Sequence, residues 1–202
     1  MLKQFDNEEK SPPDPNRKPV ISGNGSSFFS AYDPAADVDA NLVGTIEWSL
    51  SDGSITLAVY PKEAKINGQP VTDKTRIRGH NILNPLVNAL ENLFQKRVAE
   101  YVRELGEANR KEIEDTFQIK GLNGIWAGDS DNLTTFNRLY KVGLSKELAA
   151  RQTFTGKQAF RVFGFSEVKF NKFEPDLDHP SNQERRRLGF TAVNCTFYPK
   201  GI

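Results

Sequence analysis

The apolar positions of this chain change period several times, and each change predicts an element. In "NLVGTIEWSL", 41–50, Leu42, Gly44, Ile46, Trp48 and Leu50 alternate with Val43, Thr45, Glu47 and Ser49. A period of two is that of a strand, and the first set is expected to face a core. "SDGS" followed by "ITLAVY" predicts a second strand, reached through a tight Asp-Gly turn. "KINGQPV", 65–71, carries a further turn signal at Asn67-Gly68 and predicts a third strand running to about Ile77. The period then lengthens. Asn84-Pro85 reads as a helix start, because Asn caps free amides and Pro fits the first helical position. Leu86, Leu90, Phe94, Tyr101 and Leu105 make the apolar stripe of one long helix, bent at Gly106.

The second half of the chain alternates strands and short helices. "IKGLNGIWAG", 119–128, predicts a buried strand. "DNLTTFNRLYKVG", 131–143, predicts a helix capped by Asp131 and closed by Gly143. Ser145 opens another helix, with Glu147 near a capping position, and Thr155 to Gly164 gives a third. "FSEVKF" is a strand, 171–187 a loop, and "LGFTAVNCTFYP" a final strand. This order predicts an α+β fold: a mixed, mainly antiparallel central sheet flanked by helices. Residues 1–26 are expected as a tail or linker, rich in Pro and charge and too poor in apolar groups to pack. Residues 27–202 are expected as a single domain.

Composition narrows the functional classes. Lys and Arg number 27 against 26 Asp and Glu, a net charge of +1, so no global field draws the chain to nucleic acid. The single cysteine, Cys195, excludes an internal disulfide and a cysteine-based zinc site. No apolar run is long enough to span a membrane, and the first residues lack the apolar core of a signal peptide. We therefore expect a soluble protein, either cytoplasmic or secreted as the tail of a larger carrier. Met1 is the only methionine, which suits a domain excised from a longer chain.

Three clusters carry candidate chemistry. In "TRIRGHNILNP", 75–85, Arg76, Arg78, Gly79, His80 and Asn81 stand just ahead of the long helix. Helix-start amides and the helix dipole favour an anion there, Gly79 permits close approach, and the arginines offer forked hydrogen bonds. The second cluster, "NKFEPDLDHPSNQERRR", 171–187, carries Asp176, Asp178 and His179, followed by Arg185, Arg186 and Arg187. Carboxylates beside an imidazole suit a divalent metal or acid–base work, and the arginines a nucleic-acid backbone. That would make a nuclease toxin, against which the near-neutral overall charge counts. The third cluster is "LNGIWAGDSDNLTTFNRLYKVGL", with Asn132, Tyr140, Gly143 and Leu144.

The first and third clusters together resemble the GCN5-related N-acetyltransferase superfamily over roughly residues 43–170. Arg76 and Gly79 match its Arg-x-x-Gly pyrophosphate loop, with Asn81 where the family has a second Gly or Ala. Asn132, Tyr140 and Gly143-Leu144 match its later Asn, Tyr and Gly-hydrophobic positions, the Tyr displaced by one residue. The resemblance implies acetyl-CoA or another acyl-CoA as cofactor, held by Arg76, Arg78, Gly79, His80 and Asn81. It also implies direct transfer to an amine-bearing substrate. The proton acceptor would be Glu47, Asp129 or Asp131, and Tyr140 would protonate the departing thiolate. No metal is implied. A second resemblance joins "DNLTTFNRLYKVGLSKELAARQTFTGKQAFRVFGFSEV" to the C-terminal domains of bacterial polymorphic toxins. It implies an effector with a cognate immunity protein as partner. A non-catalytic binding domain that retains the fold is the remaining alternative.

Overall fold

Each half of the chain packs around apolar residues that recur at strand or helix spacing. The computed structural model describes residues 11–23, 27–175 and 189–201. The fold is α+β, a mixed sheet flanked by helices. The chain divides into two compact units, residues 1–46 with 58–93 and residues 47–57 with 94–202.

The first unit contains β1 (Val20–Gly23), β2 (Phe28–Tyr32), β3 (Leu42–Trp48) as far as Ile46, and β4 (Ser54–Val59) from Ala58. β1 and β2 are antiparallel, with Val20 opposite Tyr32. Residues 17–23, expected in the tail, belong to the packed structure. Arg17 forks onto the fully buried Asp33, donating from Nε at 2.6 Å and also from Nη2. Its Nη1 donates to the carbonyls of Asp14 (2.8 Å) and Thr75 (2.7 Å). A charged fork can order a Pro-rich segment whose apolar content alone would not.

The turn at Asn67-Gly68 forms as expected. Both residues have positive φ, 53° and 72°, the geometry that lets a two-residue loop follow the strand twist. The Asp37 carboxylate accepts from both their amides, at 2.8 and 2.6 Å. The strands it joins, β5 (Lys65–Ile66) and β6 (Gln69–Pro70), have two residues each, so the expected strand to Ile77 stops at Pro70.

Helix α1 (Gly79–Leu105) begins six residues before Pro85, not at it. Pro85 forfeits a hydrogen bond inside the helix. Ile82, Leu83, Leu86, Val87 and Leu90 are all buried, and this extended stripe outweighs the lost bond. The helix lies close on β3 at Gly44, where an added Cβ would come within 2.6 Å of Ile82. On β3 the expected alternation holds for Gly44, Ile46, Glu47 and Trp48. Val43 is also fully buried, on the other face, and Leu42 and Leu50 are exposed.

The second unit takes α1 from Phe94 onward. Gly106, at φ 92°, ends the helix rather than bending it. A 3-10 turn leads into α2 (Arg110–Thr116). Phe94 packs edge-on to Trp48 at 4.7 Å, while Tyr101 stacks on Phe117 and stays 40% exposed. Then follow β7 (Gly121–Ala127), α3 (Asp131–Lys141), α4 (Lys146–Arg151), α5 (Phe154–Phe163), β8 (Glu167–Glu174) and β9 (Ala192–Tyr198). The strand run in this unit is β4-β7-β9-β8. β4 and β7 are parallel, with Thr56 opposite Asn123; β7–β9 and β8–β9 are antiparallel. A parallel pair needs a long crossover, and α1 lies within it. β8 slips register between Phe170 and Lys172, and extends further than the six residues expected of it.

Small capping residues set the helix ends. Ser130, not Asp131, caps α3, its hydroxyl accepting from Leu133 N at 3.3 Å. Ser145 caps α4, as expected. Thr153 caps α5 two residues before its predicted start, and Gly164 closes it at φ 70°.

Candidate functional site

The loop at the start of α1 is a compact turn that leads straight into the helix. Thr72 N donates to Thr75 Oγ1 at 3.0 Å, and Arg76 N to Thr72 O at 2.8 Å. Ile77 is fully buried and anchors the turn. The Arg76 guanidinium pairs with Asp73. Arg78 N donates to Pro15 O at 3.1 Å, and Asn81 N to Arg78 O at 3.0 Å. Of the five expected cofactor residues, then, Arg76 is committed through its side chain and main chain. Arg78 and Asn81 have committed their amides. Gly79 and His80 supply the first two amides of α1, and the side chains of Arg78 and His80 are exposed. All five belong to the first unit.

The expected catalytic residues belong to the second unit. Glu47 is exposed on β3. Two bonds across the hairpin, Ser49 N to Ser54 O (2.8 Å) and Tyr60 N to Val43 O (3.0 Å), share one register, which sets Glu47 opposite Thr56. Asp129 is exposed in the turn between β7 and α3, after Gly128 at φ 57°. Asp131 is the exposed first residue of α3. Tyr140 is half-buried, its ring stacked 6.2 Å from Phe136 and tilted against Phe190 at 5.5 Å, so the ring is held by aromatic packing.

A polar row on this unit's sheet went unread in the sequence. The Asn123 amide donates to Ser54 Oγ (3.0 Å) and Thr56 Oγ1 (3.4 Å). Its carbonyl accepts from Thr196 Oγ1 (2.8 Å), which accepts from Asn171 Nδ2 (3.0 Å). Ser54 Oγ donates to Asp52 at 2.8 Å, and the bonds from Ser54 hold the Asp52 carboxyl below its usual range. Cross-strand register extends the row from Glu47 through Thr56, Asn123 and Thr196 to Lys169. The signal was present as the polar alternates Asn123 in β7 and Asn194 and Thr196 in β9, at a period of two. The row's amide and hydroxyl groups bond to one another, with Ser54 and Thr196 buried, so the row ties the four strands together beneath the exposed Glu47.

Residues of the toxin-like segment have structural work. Asn132 Nδ2 donates to Thr155 Oγ1 (3.0 Å) and its Oδ1 accepts from Thr155 N (3.2 Å). The Trp126 indole donates to the same hydroxyl at 3.3 Å. Gly156 lets α5 approach α4, and Ala149, Ala150 and Ala159 are fully buried. Asn137 clamps Phe190, donating to its carbonyl and accepting from its amide, both at 2.8 Å.

Burial raises the Cys195 thiol to about 12, which suits a core residue and not a nucleophile. Among the described residues no three His, Cys, Asp or Glu gather as metal ligands, and no helix is long and apolar enough to cross a membrane. Asp176, Asp178, His179 and Arg185–Arg187 lie outside the described residues. No protein-family model, curated protein or solved structure matches the chain.

Proposed function

We propose that the chain is an acyl-CoA-dependent N-acyltransferase-like domain, with Arg78, Gly79 and His80 receiving the cofactor's pyrophosphate. The observation that carries this reading is the position of the helix start. α1 begins at Gly79, so the first amides of a 27-residue helix fall within the Arg-x-x-Gly segment. The dipole of that helix favours an anion at its start.

The residues fit the group with a smaller set than the sequence suggested. Arg78 and His80 offer exposed side chains, and Gly79 and His80 offer amides. Arg76 leaves the set because its guanidinium and amide are engaged within the chain, and the main-chain amide of Asn81 leaves it because it donates to Arg78 O. A bound acyl-CoA would supply the activated carbonyl. In the second unit, Glu47 takes the proton that the acceptor amine must lose, with Asp129 as the other exposed carboxylate near a strand end. We extend the proposal to the setting suggested by the toxin-like segment, a bacterial effector with a cognate immunity protein.

The test is a thermal shift with millimolar acetyl-CoA. A ligand at 100 times its Kd adds about 2.7 kcal/mol, roughly 5–11 °C for a chain of this size. The shift should vanish in Arg78→Ala and Gly79→Trp, and Glu47→Gln should keep the shift while slowing acyl transfer. No shift, or an equal shift in both loop variants, removes the transferase and leaves the binding-domain alternative.

A further inference from the structure

The charge of this protein is unevenly distributed. Residues 131–165 carry six Lys and Arg (Arg138, Lys141, Lys146, Arg151, Lys157, Arg161) against two acidic groups, Asp131 and Glu147. The whole chain has 27 against 26, so outside this segment acidic groups exceed basic ones by three. The segment folds as α3, α4 and α5. Lys146 lies over the Phe173 ring at 4.9 Å. The other five cations are exposed, and none of them has an ion-pair partner among the described residues. On α1 and α2, by comparison, two of the five Lys and Arg are paired: Arg97 with Glu100, and Arg110 with Glu107 and Glu114.

The same helices expose apolar side chains. Val142 is 70% exposed, Leu148 50%, Phe154 39%, Phe160 66% and Val162 39%. These are five of the 13 large exposed hydrophobic residues among those described, within 21 consecutive positions. Their neighbours Leu133, Phe136, Ala149, Ala150 and Ala159 hold the core, while Val142 and Phe160 are the most exposed of the set. Apolar groups interspersed with uncompensated cations are the composition of a recognition surface, with apolar anchors giving affinity and charges giving steering.

We propose that the outer surface of α3–α5 binds an acidic protein, one that presents carboxylates around an apolar patch. The charge balance selects the partner's sign. The apolar set selects its class: three of the five are aliphatic, which offer no stacking to a nucleic-acid base. They are spread over and between three helices, unlike the single apolar face by which an amphipathic helix lies on a membrane. This inference is independent of the acyl-CoA reading, and either can fail alone.

A photo-crosslinking amino acid placed at Leu148, Phe160 or Val142 in the full chain, in the cell that makes it, identifies the partner. That partner is then purified and its binding to the chain measured. The proposal expects a protein of low isoelectric point. Its affinity should fall about tenfold or more in R151E/K157E and in F160A, and weaken as salt rises. Both variants change exposed positions, and an unchanged melting temperature shows that they fold. Oligo(U) RNA and phosphatidylserine vesicles serve as the competing probes. Crosslinks to a basic or neutral protein, to a second copy of this chain, or to none at all overturn the proposal. So does tight binding of either competing probe that R151E/K157E abolishes.

Discussion

Arg17→Ala tests whether the first residues of the described chain are part of the fold. Asp33 has a fully buried side chain, and Arg17 is only 11% exposed. The carboxylate accepts two bonds from the guanidinium and one from Ala35 N at 3.0 Å. Without Arg17 it keeps one donor and no counter-charge. Breaking a buried pair from one side costs about 3–5 kcal/mol. We take the middle of that range, a loss of about 4 kcal/mol. For a chain of this size the melting temperature should fall by about 8–16 °C. Adding Asp33→Asn to Arg17→Ala should recover part of it, since the unpaired charge is gone. Thermal melts followed by circular dichroism measure both. A fall of less than about 2 °C, or a double variant no better than the single, would refute the reasoning. The same arginine holds Thr75 O, two residues ahead of Ile77, so its loss should also loosen the proposed cofactor loop.

Three further outcomes are expected. Gly156→Ala puts a Cβ 2.2 Å from Ala150 O and 2.7 Å from Arg151 Cα, both backbone atoms. It should cost about 1–3 kcal/mol or more, and an unchanged urea midpoint would show that α4 and α5 are not in close contact. Thr196→Val removes a hydroxyl that is 4% exposed and bonded on both sides, leaving the Asn123 carbonyl short of a donor. It should cost about 1–3 kcal/mol, whereas the exposed Asn171→Ala should cost less in the same titration. Cys195 holds its proton in the native state up to about 12 because it is buried. An unfolded thiol ionises near 8.5, so this term is fully present below that pH and declines as pH rises from there toward 12. Cys195→Ala should lack that part of the alkaline slope, and the native thiol should resist a disulfide reagent at pH 8; prompt labelling would contradict the burial.

Local chemistry made much of the fold legible. The Asp-Gly and Asn-Gly turns, the caps at Ser145 and Gly164, and the strands through Trp48, Trp126 and Cys195 are set by neighbours in sequence, so a linear reading finds them. The start of α1 was misplaced because Pro85 is a strong local signal, and the burial of Ile82 and Leu83 that overrides it is tertiary. The docking of residues 14–17 was missed for the same reason: its partners Asp33, Thr75 and Arg78 are remote in sequence. In the candidate loop, residue types suggested an anion, but only the fold shows that Arg76 already has Asp73 and that Arg78 N already has Pro15 O. The segment 131–168 was read in the sequence only as a string of residue types. The reason for several of its residues, the bonding of Asn132 to Thr155 and the tight fit at Gly156, needed the packed helices.

Strand β8 ends its strand run, with β9 as its one strand neighbour among the described residues, and it carries Glu167, Lys169, Lys172 and Glu174 exposed along its length. Its register slip at Asn171 breaks the even spacing that a foreign strand would have to match. A second molecule adding itself to this margin would meet both like charges and a misplaced hydrogen-bond ladder. The protein should therefore tolerate high concentration without fibrillising from this border, and flattening it, by replacing both lysines with valine and deleting Asn171, should make the chain assemble there.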